Sequence, residues 1–108
     1  MAEREAQWKR TAQRDLNAIV GYIAEDSIDN ALAVLDRLQR RTETLSEKAE
    51  RGRVVPELRA VDVYQYRVLI ERPWRLVYRI EPDAVLIMAV LDGRRDLQSV
   101  LLERLVRA

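Results

Sequence analysis

Two apolar stripes with helical spacing, parted by a short polar break, constrain this chain more than any other feature. Ala12, Leu16, Ile19, Val20 and Ile23 recur at every third or fourth position and predict a helix over about 12–25. Glu25-Asp26-Ser27 interrupts the pattern. Ile28, Ala31, Leu32, Leu35, Leu38, Leu45 and Ala49 then trace a second stripe, with Thr42 filling one step, and predict a helix over about 28–50. Thr11 and Ser27 stand where the two N-caps belong. Helices joined by so short a link are expected to lie antiparallel as a hairpin.

The rest of the chain reads as strands. Over Glu5–Lys9 the side chains alternate, Ala6 and Trp8 against charged and amide neighbours. Gly52 ends the helical half, and Val54-Val55-Pro56 is a short extended piece. Beyond a polar loop at 60–63, Tyr66, Val68 and Ile70 alternate with Arg67, Leu69 and Glu71. Past Arg72-Pro73, Trp74, Leu76, Tyr78 and Ile80 alternate with Arg75, Val77 and Arg79. The run 85–91 is apolar on both faces, as a central strand covered on both sides would be. Leu97, Val100, Leu101 and Leu105 share one side of a C-terminal helix over 96–107. The expected fold is therefore α+β and two-layered: an N-terminal strand, an antiparallel helical hairpin, an antiparallel β-meander and a C-terminal helix. At 108 residues this is one domain, 1–108.

Composition narrows the chemistry. The chain has neither Cys nor His, which removes disulfides, thiolate nucleophiles and Ser-His or Cys-His catalysis, and disfavours a transition-metal site. No metal and no cofactor are expected. The N-terminus lacks the apolar core of a signal peptide, and the longest apolar run, 84–91, is far short of the roughly 20 residues a spanning helix needs. A cytoplasmic protein is the expectation. The net charge of +1 is uneven: all basic groups after position 50 are arginines.

Those arginines are the first candidates for function. By strand alternation Arg67, Arg75 and Arg79 are expected on one face of the meander, opposite Trp74, Leu76 and Tyr78, with Arg94 and Arg95 near by. Clustered guanidinium groups suit an anionic ligand, whether phosphate, a nucleic-acid backbone or an acidic peptide. The structural alternative pairs them with Glu57, Glu71, Asp92 or Asp96. Without His, a carboxylate would have to act as general base, and Glu57, fixed between Pro56 and Leu58, is the best-placed one. Tyr78 reads as core.

The order and spacing of several motifs resemble the RelE/ParE superfamily, toxins of bacterial type II toxin–antitoxin (plasmid stabilisation) modules. They are Ala12-x-x-Asp15-Leu16, Gly52-Arg53-x-Val55-Pro56-Glu57-Leu58, Tyr66-Arg67-Val68-Leu69-Ile70, Pro73-Trp74-Arg75-Leu76-Val77-Tyr78-Arg79 and Val90-Leu91-Asp92-Gly93-Arg94-Arg95-Asp96-Leu97. The resemblance implies a small sheet with an N-terminal helical hairpin and a cognate antitoxin that folds onto the toxin, giving a hetero-oligomer. It also implies one of two targets. RelE- and YoeB-like members are mRNA interferases that cut message on the ribosome, whereas ParE-like members inhibit DNA gyrase.

In the nucleases a Glu after Pro, an Arg in an Arg-Leu-Val-Tyr strand and a C-terminal His-Tyr pair carry the reaction. Glu57 and Arg75 match the first two, so they are the catalytic candidates if the chain is a nuclease. Asp92-Gly93 stands where the His-Tyr pair would be. Losing the imidazole removes a proton carrier near neutral pH and leaves negative charge where phosphate would approach. The modest net charge points the same way. A ParE-like gyrase inhibitor is thus expected ahead of a ribosome-dependent endonuclease, with a non-toxic protein-interaction domain as the third reading. Arg67, Arg75, Arg79, Arg94 and Arg95 are the expected contacts to target or antitoxin.

Overall fold

Both apolar stripes fold as helices laid over a single sheet. The computed structural model describes residues 3–93 and 96–106. In chain order the elements are β1 (Glu5–Trp8), α1 (Arg10–Ala24), α2 (Ile28–Glu43), β2 (Arg53–Val54), α3 (Pro56–Arg59), β3 (Tyr66–Glu71), β4 (Trp74–Ile80), β5 (Ala84–Asp92) and α4 (Leu97–Leu101). The last runs on into a π-helical turn, Leu102–Val106. The α+β fold with its hairpin, meander and C-terminal helix is as expected.

The sheet order is β1-β5-β4-β3-β2. β1 runs parallel to β5, pairing Glu5–Trp8 with Ala84–Ile87, and every other pair is antiparallel. Beneath α1 and α2, one face holds Leu16, Leu38, Leu45, Leu76, Tyr78 and Ile87 in a common core. The other face is covered in part by the short α3 and α4, which bury Leu58, Leu97 and Leu101 against Val68, Val77 and Leu91. Each of these fully buried leucines contributes roughly 1.5–3 kcal/mol. β5 is an inner strand with both faces buried, and a bulge explains its unbroken apolar run. Val77 pairs with Ala89 and Tyr78 with Ile87, so Met88 is one residue in excess. The inside–outside alternation inverts there, so Val85, Ile87 and Val90 face the first core while Ala89 and Leu91 face the second.

Two local expectations need correction. Thr11 does not cap α1. The strand runs straight into the helix, whose N-cap is Lys9, and Thr11 Oγ1 donates instead to the Met88 carbonyl at 3.3 Å. Ser27 does cap α2, accepting from the Asn30 amide at 3.1 Å. The second helix does not reach residue 50. It stops at Glu43 and gives way to two 3₁₀ turns, Thr44–Ser46 and Ala49–Arg51. Hydroxyls explain the stop: Thr42, Thr44 and Ser46 each donate back to the carbonyl three residues earlier, competing with the helical ladder.

Candidate functional site

The short helix α3 carries Glu57 onto the second sheet face, where it meets Arg75 of β4. Arg75 Nη1 donates to Glu57 Oε2 at 2.7 Å, and both side chains are about three-quarters covered. Glu57 Oε1 is buried without a hydrogen-bond partner. The Glu57 backbone carbonyl accepts from Gln98 Nε2 at 3.0 Å, which ties α3 to α4 as well. The two residues matching the nuclease motif are therefore together, but as an ion pair that joins three elements. One carboxylate oxygen of Glu57 is thereby occupied by the Arg75 guanidinium.

The expected arginine face is not formed. Arg75 and Arg79 do share the second face, with Val77 between them, but Arg67 lies on the first face directly opposite Tyr78. The reason is the turn. With two residues, Arg72 and Pro73, between β3 and β4, Glu71 pairs with Trp74, so odd positions of one strand face even positions of the other. Arg67 uses Nη1 on the Gly52 carbonyl at 2.7 Å, and Arg79 pairs with Glu81 at 3.0 Å. Arg94 and Arg95 lie outside the described residues.

Tyr78 is core, as its alternation implies, and is a fully satisfied one. Its hydroxyl donates to the Ala49 carbonyl at 2.7 Å and accepts from the Gly52 amide at 2.8 Å, fastening the turn after α2 to the sheet. Burial raises its pKa above the ordinary tyrosine value, outweighing the opposing hydrogen bond from Gly52. A weaker acid, locked inside the opposite core from Glu57, has no route to a leaving oxygen. Gly52 is required by this close approach: a Cβ there would lie 2.5 Å from the Val68 carbonyl oxygen and 2.6 Å from the Tyr78 hydroxyl.

Alternation did not reveal the role of Asp15, which reads simply as an acid near a helix start. Its carboxylate accepts from the Val90 amide through Oδ2 at 3.0 Å and from Arg104 Nη1 through Oδ1 at 3.1 Å. It thereby covers the part of the β5 edge that the four-residue β1 leaves open and pins the C-terminal segment beside it. Around this pin, Ile19, Tyr22, Ile23, Trp74 and Val100 wall a cleft of about 480 Å³. Glu71 likewise joins layers through ion pairs with Arg37 at 3.0 Å and Arg41 at 3.2 Å of α2, while Arg37 lies 5.7 Å over the Trp74 ring. Among the described residues no carboxylate group is arranged to hold a metal ion, and no helix is long and apolar enough to cross a membrane.

Residues 6–97 match the family described as ParE toxin of type II toxin-antitoxin system, parDE. A structure of the chromosomal ParDE toxin–antitoxin system from P. aeruginosa is similar with a TM-score of 0.67 and 24% identity, covering 83% of this chain and 96% of that one. The RelBE2 toxin–antitoxin complex from Mycobacterium tuberculosis is similar with a TM-score of 0.55 and 21% identity, covering 85% of this chain and 93% of that one. No curated protein matches the sequence. Fold and motifs together define a toxin of the RelE/ParE superfamily. Within that class, the chain belongs to the ParE toxin family of type II toxin–antitoxin systems.

Proposed function

We propose that this toxin arrests growth by binding and inhibiting DNA gyrase in the cytoplasm, and that it cuts no RNA. The observation that carries this reading is the Glu57–Arg75 ion pair, 2.7 Å long, in a chain with no histidine. The Pro-Glu carboxylate is engaged by Arg75, and in a chain without histidine no imidazole can pass a proton to a leaving group. What remains is a rigid surface, suited to obstructing another macromolecule. The competing reading, cleavage of ribosome-bound mRNA, draws on the closeness of Glu57 and Arg75. It would require that pair to open in the presence of message.

The cognate antitoxin fits the helical hairpin. Tyr22, Ile28 and Leu32 are exposed around its tip, too apolar to be left in water without reason. Positions 22–36 carry four acidic residues and no basic one, so a segment with basic residues flanking apolar ones would complement them. The test is a plasmid supercoiling assay with purified gyrase, run beside a cleavage assay on ribosome-bound message. The proposal expects relaxed plasmid and intact message; unimpeded supercoiling with cut message would refute it.

A further inference from the structure

A second exposed apolar patch lies on the opposite side of the sheet, and its electrostatic setting is the reverse of that at the hairpin tip. Val61, Tyr64 and Val106 are between 42% and 55% exposed. Val63 and Leu105, their neighbours in sequence, both pack against the second core, and Tyr66 Oη donates to the Leu105 carbonyl at 3.4 Å. The loop after α3 and the end of the C-terminal segment therefore lie side by side. The loop is firmly built. Asp62 closes α3 in a left-handed conformation (φ 64°), with the Val63 amide on the Leu58 carbonyl at 2.9 Å and the Asp62 amide on the Arg59 carbonyl at 3.1 Å. The Tyr64 hydroxyl returns to Asp62 Oδ1 at 3.2 Å. Two large apolar side chains are thus presented on a fixed backbone, which lowers the entropy lost when a partner covers them.

Charge indicates what that partner is. Over 51–67 the chain carries Arg51, Arg53, Arg59 and Arg67 against Glu57 and Asp62, and Glu57 is already neutralised by Arg75. Arg51, Arg53 and Arg59 are exposed and form no ion pair among the described residues. We propose that the Val61–Tyr64–Val106 patch, with Arg53 and Arg59 on the same side of the sheet, docks an apolar, acid-rimmed surface on the protein that this toxin poisons, leaving the acidic hairpin tip to the antitoxin. Valine side chains offer nothing to phosphates or base edges, so a protein surface is favoured over a nucleic acid. The inference rests on the chain being a growth-arresting toxin, but not on gyrase being the target.

The experiment induces the full chain alone and counts surviving cells, with thermal melting of each purified variant as a check on folding. Val61→Ser/Tyr64→Ala, and separately Arg53→Glu/Arg59→Glu, are expected to melt near the parent while weakening growth arrest about tenfold or more, the loss of one interfacial anchor. Gln39→Ala, on the far face, is expected to arrest growth like the parent. If the arginine reversal alone unfolds the chain, Arg53→Gln/Arg59→Gln is read in its place. Full arrest by the folded loop variants overturns the inference. So does submicromolar binding of a labelled 20-nucleotide RNA or DNA that the loop variants lose. A parent that never arrests growth overturns both this inference and the reading beneath it; arrest without inhibition of supercoiling removes only the gyrase assignment.

Discussion

Arg75 closes on Glu57 across the gap between β4 and α3, its Nη1 2.7 Å from Oε2. Because both side chains are largely covered, the pair is worth more than a surface ion pair, about 1–2 kcal/mol. Glu57→Gln and Arg75→Ala should each lower stability by roughly that amount in chemical denaturation. Growth arrest should survive both substitutions at a temperature where the variants remain folded. Abolished toxicity in a fully folded Glu57→Gln protein would show that the carboxylate takes part in a reaction.

Tyr78 is the second point of leverage. Tyr78→Phe leaves the Gly52 amide and Ala49 carbonyl buried without their partner, for a loss of about 1–3 kcal/mol. The substitution should also change the response to alkali. Burial raises the folded-state pKa of Tyr78, so its protonated form is favoured by folding. That contribution is fully present below the ordinary tyrosine pKa of about 10 and is lost as pH rises through the folded value. Denaturation series from pH 8 to 11 should therefore fall less steeply for Tyr78→Phe than for the parent; equal slopes would contradict this.

Gly52 and Gly21 should respond to substitution in opposite directions. Gly52→Ala drives a methyl group into the Val68 carbonyl and the Tyr78 hydroxyl, and should destabilise by about 1–3 kcal/mol. Gly21 lies within α1, and a Cβ there would meet nothing within 4 Å. Gly21→Ala should stabilise by roughly 0.5–1 kcal/mol through helix propensity alone. Melting temperatures of the two variants check both signs.

Asp15 should control the C-terminal segment. Asp15→Ala leaves the Val90 amide and Arg104 without their shared acceptor, and hydrogen exchange over 97–106 should quicken severalfold. Exchange unchanged in that segment would mean that Leu97 and Leu101 hold it unaided.

These residues also mark how far the sequence could be read. The apolar stripes of α1 and α2, the Ser27 cap and the alternation in β3 and β4 are local signals, and they translate directly into structure. The end of α2 was obscured because Thr42 fits an apolar stripe while its hydroxyl undermines the helix. Alternation alone puts Arg67 on the wrong face because it fixes sides within a strand, whereas the turn at Arg72-Pro73 fixes them between strands. The pairing of β1 with β5 depends on contacts about eighty residues apart in sequence, and the bulge at Met88 on the register between β4 and β5, neither of which a local pattern encodes. Glu57 and Arg75 are nominated by motif, and their ion pair is one of those that the structural alternative names.

The most direct test of the central claim, obstruction rather than RNA cleavage, is to induce the chain alone and follow nascent DNA and protein synthesis minute by minute. With obstruction, DNA synthesis is expected to fail first while translation continues on intact messages. Early loss of protein synthesis, with transcripts severed on ribosomes, would contradict it.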